Sequence, residues 1–456
     1  VASPFLTSIQ ENAVKPIEPV FLDFKKDMSQ LTAKSDIPVL YKQNVTNDLF
    51  QLIYVFDMGN NNDKALGTAF DYLEYLGTSD MTPEELKSEF YRLACTFYVS
   101  PGNERTYVVL SGLNENMPAA VQLFEKLLAD AQVNKEAYTN MTSDILKARS
   151  DAKLNQGQNF SRLMSFAMYG PKSPATNLLT EAELTNMNPQ ELVDRIHNQN
   201  SYKHRILYYG PSSSKDLLAT INQYHQVPAA LKDIPAGNEY SYLETPVTKV
   251  LVAPYDAKQI YMAQISNLDK KYDPAIEPIR ALYDEYFGGG MNSIVFQEMR
   301  ETRGLAYSAW ASIMPPSYLK YPYVLRTQIA TQNDKMIDAV TTFNDIINNM
   351  PESEAAFKLA KDGLTNRLRT ERIIKGDIIW SYINAQDLGQ NVDPRIKLYN
   401  DIQNMSLKDI VDFQKQWVKG RTYVYCILGD KKDLELDKLK AVGPIEELTQ
   451  EQIFGY

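Results

Sequence analysis

A pattern of apolar residues near position 117 returns near position 336, and this repetition constrains the fold more than any other feature of the chain. Asn116-Met117, Ala120-Val121, Phe124 and Leu127-Leu128 are echoed by Lys335-Met336, Ala339-Val340, Phe343 and Ile346-Ile347, at a constant offset of 219 positions. The same offset separates the apolar runs Arg205–Gly210 and Val424–Gly429. Between these points Met187–Val193 and Met405–Val411 open helices at an offset of 218. Four elements in one order at nearly one spacing imply two copies of one domain, each of about 200 residues. Within a copy, runs of helices lie between strands. That order predicts an α+β layer, with a mainly antiparallel sheet and helices packed on one face.

Residues 1–25, with Pro4, Pro16 and Pro19, read as a linker or hinge strap. The first domain is expected over 26–235, the second over 236–435, and a charged tail over 436–456 that covers a surface. The boundary falls where Pro228, Pro235, Gly237 and Pro246 interrupt any period. In the first copy Val39–Tyr41, Leu49–Met58 and Thr106–Leu113 read as strands, and Lys64–Leu76 and Pro118–Ala129 as helices. Thr82-Pro83-Glu84-Glu85 is a helix start, with a capping Thr, Pro at the first position and acids in the first turn.

With 57 acidic against 47 basic side chains the net charge is −10, which argues against a nucleic-acid partner. No apolar run approaches the roughly 18 residues that span a bilayer. Cys95 and Cys426 sit in apolar stretches and read as buried, inert thiols. The three histidines, His197, His204 and His225, match no ligand spacing and read as surface or strand-edge residues. The chain opens Val-Ala-Ser-Pro without an initiator Met, so it is expected to be a processed or excised piece of something longer.

The stretch most suggestive of chemistry runs from Gly288-Gly289-Gly290 to Arg303-Gly304-Leu305-Ala306-Tyr307 and on to Trp310. The glycines allow close backbone approach or positive φ. A helix follows, capped by Asn292 or Ser293, with Ile294, Val295, Phe296 and Met299 on its apolar face and Gly304 at its end. Beyond it Leu305, Tyr307, Ala309 and Ala311 alternate with Ala306, Ser308 and Trp310 as in a half-buried strand. Arg303 and Tyr307 thus flank a helix-to-strand corner. Either they aim fixed donors at a peptide carbonyl or the oxyanion it becomes, or they cap the helix and pack on the sheet. A glycine triplet without a following Gly-Lys-Ser/Thr is a poor phosphate loop.

The run GGGMNSIVFQEMRETRGLAYS resembles the C-terminal-half signature of the insulinase/pitrilysin family of zinc peptidases, which includes the mitochondrial processing peptidases. In that family an Arg and a Tyr four positions apart, here Arg303 and Tyr307, hold substrate over a zinc bound by the other half. The resemblance implies an inverted zinc motif H-x-x-E-H before Gly77. Here those positions read Asp71-Tyr72-Leu73-Glu74-Tyr75, and no Glu occurs from Ala137 to Thr180 to act as third ligand. Asp71, Glu74 and Tyr75 are therefore expected to be non-functional remnants, and no metal is expected on this chain. Within the repeat, Glu89–Tyr98 aligns with Glu298–Tyr307, placing Tyr98 opposite Tyr307 and Ala94 opposite Arg303.

The implied role is the substrate-binding half of a zinc metalloendopeptidase, inactive by itself. Arg303 and Tyr307 bind substrate, and Tyr307 doubles as catalytic oxyanion donor. The implied partners are a zinc-bearing N-terminal half or subunit and extended peptides added at a sheet edge. A periplasmic or envelope location is the expected setting. The alternative is a non-catalytic scaffold, as in the core proteins of the respiratory chain.

Overall fold

The structure is a computed structural model describing Pro4, Phe5, Thr7 and residues 15–456. In the first copy the strands are β1 (Ser29–Ala33), β2 (Ile37–Gln43), β3 (Leu49–Phe56), β4 (Cys95–Pro101), β5 (Thr106–Leu113) and β6 (Arg205–Gly210). Among its helices are α1 (Leu66–Leu73), α2 (Pro83–Arg92), α3 (Met117–Asp130), α4 (Lys135–Ala152), α5 (Gln156–Tyr169) and α6 (Gln190–Asn198). The second copy contributes β7 (Lys249–Pro254), β8 (Gln259–Lys271), β9 (Ser308–Met314), β10 (Pro322–Gln332), β11 (Val424–Gly429) and β12 (Ile445–Glu447). Its helices include α7 (Glu277–Phe287), α8 (Met336–Asn348), α9 (Glu354–Thr370), α10 (Asp377–Asp387) and α11 (Leu407–Trp417).

The two six-stranded sheets run β1-β2-β6-β3-β5-β4 and β12-β7-β11-β8-β10-β9. From the second strand inward they are one topology used twice, with β2, β6, β3, β5 and β4 answered by β7, β11, β8, β10 and β9. Each sheet is mixed but mainly antiparallel, with β6 lying parallel to β2 and β11 parallel to β7. Local signals act as the sequence predicts. Thr82 Oγ1 accepts a hydrogen bond from Glu85 N at 3.1 Å while the Glu85 carboxylate accepts one from Thr82 N, closing the box that starts α2.

One face of each sheet packs on helices of its own copy. Leu52, Tyr54 and Phe56 of β3 face Val121 and Phe124 of α3, and Leu325 and Ile329 of β10 face Val340 and Phe343 of α8. The opposite faces are covered by exchange. Leu40, Ile53, Val55, Val109 and Leu207 of the first sheet pack on Ile378, Ile379 and Ile383 of α10 from the second copy. Reciprocally, Leu251, Ala263, Ile265 and Cys426 of the second sheet pack on Phe160, Leu163 and Ala167 of α5 from the first. An amphipathic helix shows in its sequence that one face is buried, but not which sheet buries it. Arg105 ties the exchange with bidentate bonds to Asp387 at the end of α10, both 2.9 Å.

The expected strap over 1–25 lies partly outside the described residues. From residue 15 onward, Leu22 and Phe24 join the cluster around α10, and Leu22 N donates to Asp393 Oδ2 at 2.8 Å. At the other end β12 adds an edge strand parallel to β7, and Ile453 and Phe454 are buried among the residues facing α5.

The strand ladders also correct one alignment. Leu207 pairs with Ile53, Ile53 with Val109, and Val109 with Tyr98. In the second sheet Cys426 pairs with Ala263, Ala263 with Gln328, and Gln328 with Trp310. Tyr98 therefore stands where Trp310 stands, and counting back three residues puts Cys95 opposite Tyr307. The slip has a local cause. Both corners turn through a left-handed residue, Ala94 (φ 51°) and Gly304 (φ 59°), but Cys95 follows at once while Leu305 and Ala306 intervene before Tyr307. The second corner is two residues longer, and Leu93, not Ala94, precedes the turn as Arg303 does.

Candidate functional site

The corner is built on glycine and a largely covered carboxylate, its side chain 16% exposed. An added Cβ at Gly288 would stand 2.3 Å from Ala311 O and 2.6 Å from Ala311 N, so only glycine lets the end of α7 touch β9. At Gly290 nothing lies within 4 Å, and none of the three has positive φ. Asp284 on α7 holds β9 from the side, accepting from Ile313 N at 3.0 Å and Ser312 Oγ at 2.8 Å. Burial pushes its carboxyl up to about 6 against the pull of Arg280. Gly288→Ala is expected to cost about 3 kcal/mol, since backbone cannot yield as a side chain does, and Gly290→Ala less than about 0.5 kcal/mol. Chemical denaturation of the two variants checks the difference.

Ser293, not Asn292, caps the next helix, accepting from Phe296 N. The helix Ile294–Phe296 then widens into a π-type turn over Gln297–Thr302, a form that often marks functional sites. Leu305 N bonds back to Met299 O at 2.9 Å and Lys335 Nζ donates to Gly304 O at 3.1 Å, which fixes the exit from the helix. The regular strand starts at Ser308, later than the alternation predicts, and its inward residues are Ala309, Ala311 and Ile313. Leu305 and Tyr307 precede it in the turn.

Both predicted site residues are reachable from solvent. The Arg303 side chain is 45% exposed, with Nε 3.5 Å from Glu298, so the reading in which it answers helix carbonyls is not what the structure records. Tyr307 is 53% exposed, so its ring is not buried in the packing of the sheet. Its main chain is anchored by Tyr307 N to Ala330 O at 2.8 Å, and its hydroxyl accepts from Gln332 Nε2 at 2.7 Å. A phenol that accepts from Gln332 keeps its own proton free to donate. No hydrogen bond joins Arg303 to Tyr307 among the described residues.

The remnant zinc motif does not fit a metal. Asp71, Glu74 and Tyr75 lie at the C-terminal end of α1, all exposed. Burial of part of its carboxyl, and then the charge of Glu74, push Asp71 upward. The neighbouring α4 meets α1 through the rings of Tyr72 and Tyr138, 5.8 Å between centroids. Among the described residues no group of three or more His, Cys, Asp or Glu could hold a metal. Two adjacent carboxylates without an imidazole fall short of a catalytic zinc set.

Two histidines depart from the sequence reading. His197 is exposed, but His204 and His225 are buried, 7% and 0% exposed. The reason is Glu125, inside the first copy on α3, which pairs with His225 Nδ1 and also accepts from Tyr54 OH at 2.8 Å and Asn200 Nδ2 at 3.1 Å. A carboxylate 100 positions from its imidazole gives no local signal. Both cysteines are buried as expected, and burial pushes the Cys426 thiol up to about 12.

Comparison with known proteins gives four likenesses. A family model described as the peptidase M16 inactive domain matches residues 206–364. A protein of Helicobacter pylori named non-peptidase homolog YmxG is 22% identical over 422 residues, covering 88% of this chain and 93% of that protein. Among solved structures, a peptidase M16 inactive domain from Pseudomonas fluorescens superposes with a TM-score of 0.69 at 15% identity, over 89% of this chain and 98% of that one. The periplasmic protease PqqL from Escherichia coli gives 0.72 at 14% identity, over 92% of this chain but only 48% of that one.

Proposed function

Because the chain belongs to the insulinase/pitrilysin (M16) family and is of its inactive-domain type, we propose that it is the substrate-holding half of a zinc peptidase whose metal is carried by another half or subunit. The observation that carries this reading is the pairing of an exposed, anchored Arg303 and Tyr307 with the lack of a fitting metal set among the described residues. The metal half would supply the polarising cation and the activated water. This chain's own part is electrostatic. Arg303, released from its solvent-screened contact with Glu298, holds a backbone carbonyl of the substrate. Tyr307, its phenol oriented by Gln332, gives its free proton as a hydrogen bond to the oxyanion. Extended peptides are the natural partners, since both donors address backbone groups shared by all sequences.

A scaffold without any catalytic part is the second reading, favoured by the name of the Helicobacter relative, whose length this chain nearly spans. Arg303→Ala and Tyr307→Phe separate the two. With the zinc-bearing half present, a peptidase half loses turnover while its folding is unchanged, whereas a scaffold shows no change in either.

A further inference from the structure

A cavity of about 280 Å³ lies between the two copies, away from the Arg303 corner, where the β9–β10 hairpin meets the end of α5. Arg326 of β10 lines it. Its guanidinium lies over the Trp310 ring at 5.3 Å and donates from Nη2 to Gln328 Oε1 at 2.9 Å, yet its buried Nε has no partner among the described residues. No carboxylate lies within ion-pair distance of it among the described residues, so its charge is uncompensated. The one acid lining the cavity, Glu104, is already engaged by Lys320 and by Tyr321 OH. A guanidinium does not shed its proton, and a half-buried one without a counter-charge carries a desolvation cost. An anion entering the cavity would remove that cost.

A second orphan narrows the choice. Asn61 Oδ1, on the first copy's side of the cavity, is a buried acceptor without a partner among the described residues, so it asks for a donor such as an N–H. The walls between are aromatic: Tyr169 meets Tyr242 edge-on with centroids 5.0 Å apart, and Tyr242 stacks on Tyr321 at 5.2 Å. A ligand that satisfies all three carries a carboxylate, an amide N–H and an apolar body. The volume, near the lower end for ligand pockets, admits one or two residues and no long segment.

We propose that this cavity binds the C-terminal end of a peptide with an apolar last residue, its carboxylate on Arg326 and its amide N–H on Asn61. The choice of a peptide end, over other amide-bearing carboxylates, rests on the peptide-holding reading above.

The test is calorimetric titration of the full chain with N-acetyl-Ala-Phe and with the same compound as its C-terminal amide. The free acid is expected to bind about 10- to 100-fold more tightly, the range for a hydrogen bond to a charged group. Arg326→Gln should bring the acid to the level of the amide, and Asn61→Ala should weaken it several-fold. Since Arg326→Gln removes an uncompensated charge, its melting temperature should not fall, and Arg326→Met serves as a second variant if it does. Equal binding of acid and amide, or no binding of either, overturns the site. Displacement of the acid by equimolar inorganic phosphate would mean a general anion pocket and overturns the peptide assignment. If the short acid fails to bind while longer peptides still depend on Arg303 and Tyr307, only the cavity is refuted. If the short acid binds but Arg303 and Tyr307 prove idle, only the function is.

Discussion

Glu125→Leu is expected to destabilise the chain by about 3–5 kcal/mol, the usual cost of removing one member of a buried ion pair. The size follows from what the carboxylate serves. Its two oxygens engage His225 Nδ1, Tyr54 OH and Asn200 Nδ2, all buried in the first copy, and the main-chain N of Gln226 at the edge of that interior. Behind it the hydrogen bonds continue from His225 Nε2 to His204 Nε2 at 2.8 Å, and from His204 Nδ1 to Tyr202 O at 2.6 Å. Because a carbonyl only accepts, His204 carries its proton on Nδ1 and accepts from His225 Nε2–H. One further proton then lies between His225 Nδ1 and Glu125. Leucine would strand every one of these donors, whereas Glu125→Gln, with its amide nitrogen where Oε1 stands, can donate to His225 Nδ1 and to the Tyr54 hydroxyl while its oxygen accepts from Asn200 Nδ2 and Gln226 N, so its cost should be about 1–2 kcal/mol.

Acid should act through the same chain. Burial, and then the charge of His225, hold the His204 imidazole down from 6.5 to about 3. The unfolded chain therefore binds a proton that the folded chain refuses. Stability should fall with acidification from about pH 6.5 to pH 3, by about 1.4 kcal/mol per pH unit from this group, and regain it as the pH rises. Urea denaturation of the wild-type chain and of His204→Phe across that range checks the sign: the variant should lose the slope. The second copy shows that the fold accepts a neutral arrangement here. Asn344 stands at the Glu125 position and Gln264 at that of Tyr54, and Gln264 Nε2 donates to Asn344 Oδ1 at 2.8 Å.

The other large effect is catalytic. With the zinc-bearing half supplied, Tyr307→Phe is expected to lower kcat about 10²- to 10³-fold, the loss typical of one preorganised oxyanion donor, with KM little changed. The substitution removes the hydroxyl of a half-exposed residue, bonded among the described residues to the exposed Gln332, so stability should shift by less than about 0.5 kcal/mol. Arg303→Ala should raise KM more than it lowers kcat, since a carbonyl held in both ground and transition states contributes uniform binding. Single-turnover and steady-state assays on the same preparations separate the two signatures.

Much of this architecture was legible in the chain. The 219-residue echo marked two copies of one α+β domain, because the echoing residues are the inward faces of α3 and α8 and the central strands β6 and β11, while the order of strands within each sheet was not read from it. The corner was legible too, since Gly288, Ser293 and Gly304 are local signals whose geometry depends on near neighbours. What escaped depended on distant partners. The exchange of α5 and α10 between sheets, the burial of His204 and His225 under Glu125, and the stranded guanidinium of Arg326 each involve residues brought together only by the tertiary fold. The misaligned Tyr98 shows a different limit, because two extra residues in one corner shift register without disturbing the hydrophobic pattern on either side.

The division of labour is tested most directly by hydrolysis of an unstructured peptide, measured with this chain alone, with the zinc-bearing half alone, and with both. No cleavage by this chain alone, and cleavage by the pair that Tyr307→Phe suppresses, is the predicted result. Chelator-sensitive cleavage by this chain in isolation, or full activity of the zinc half without it, would contradict it.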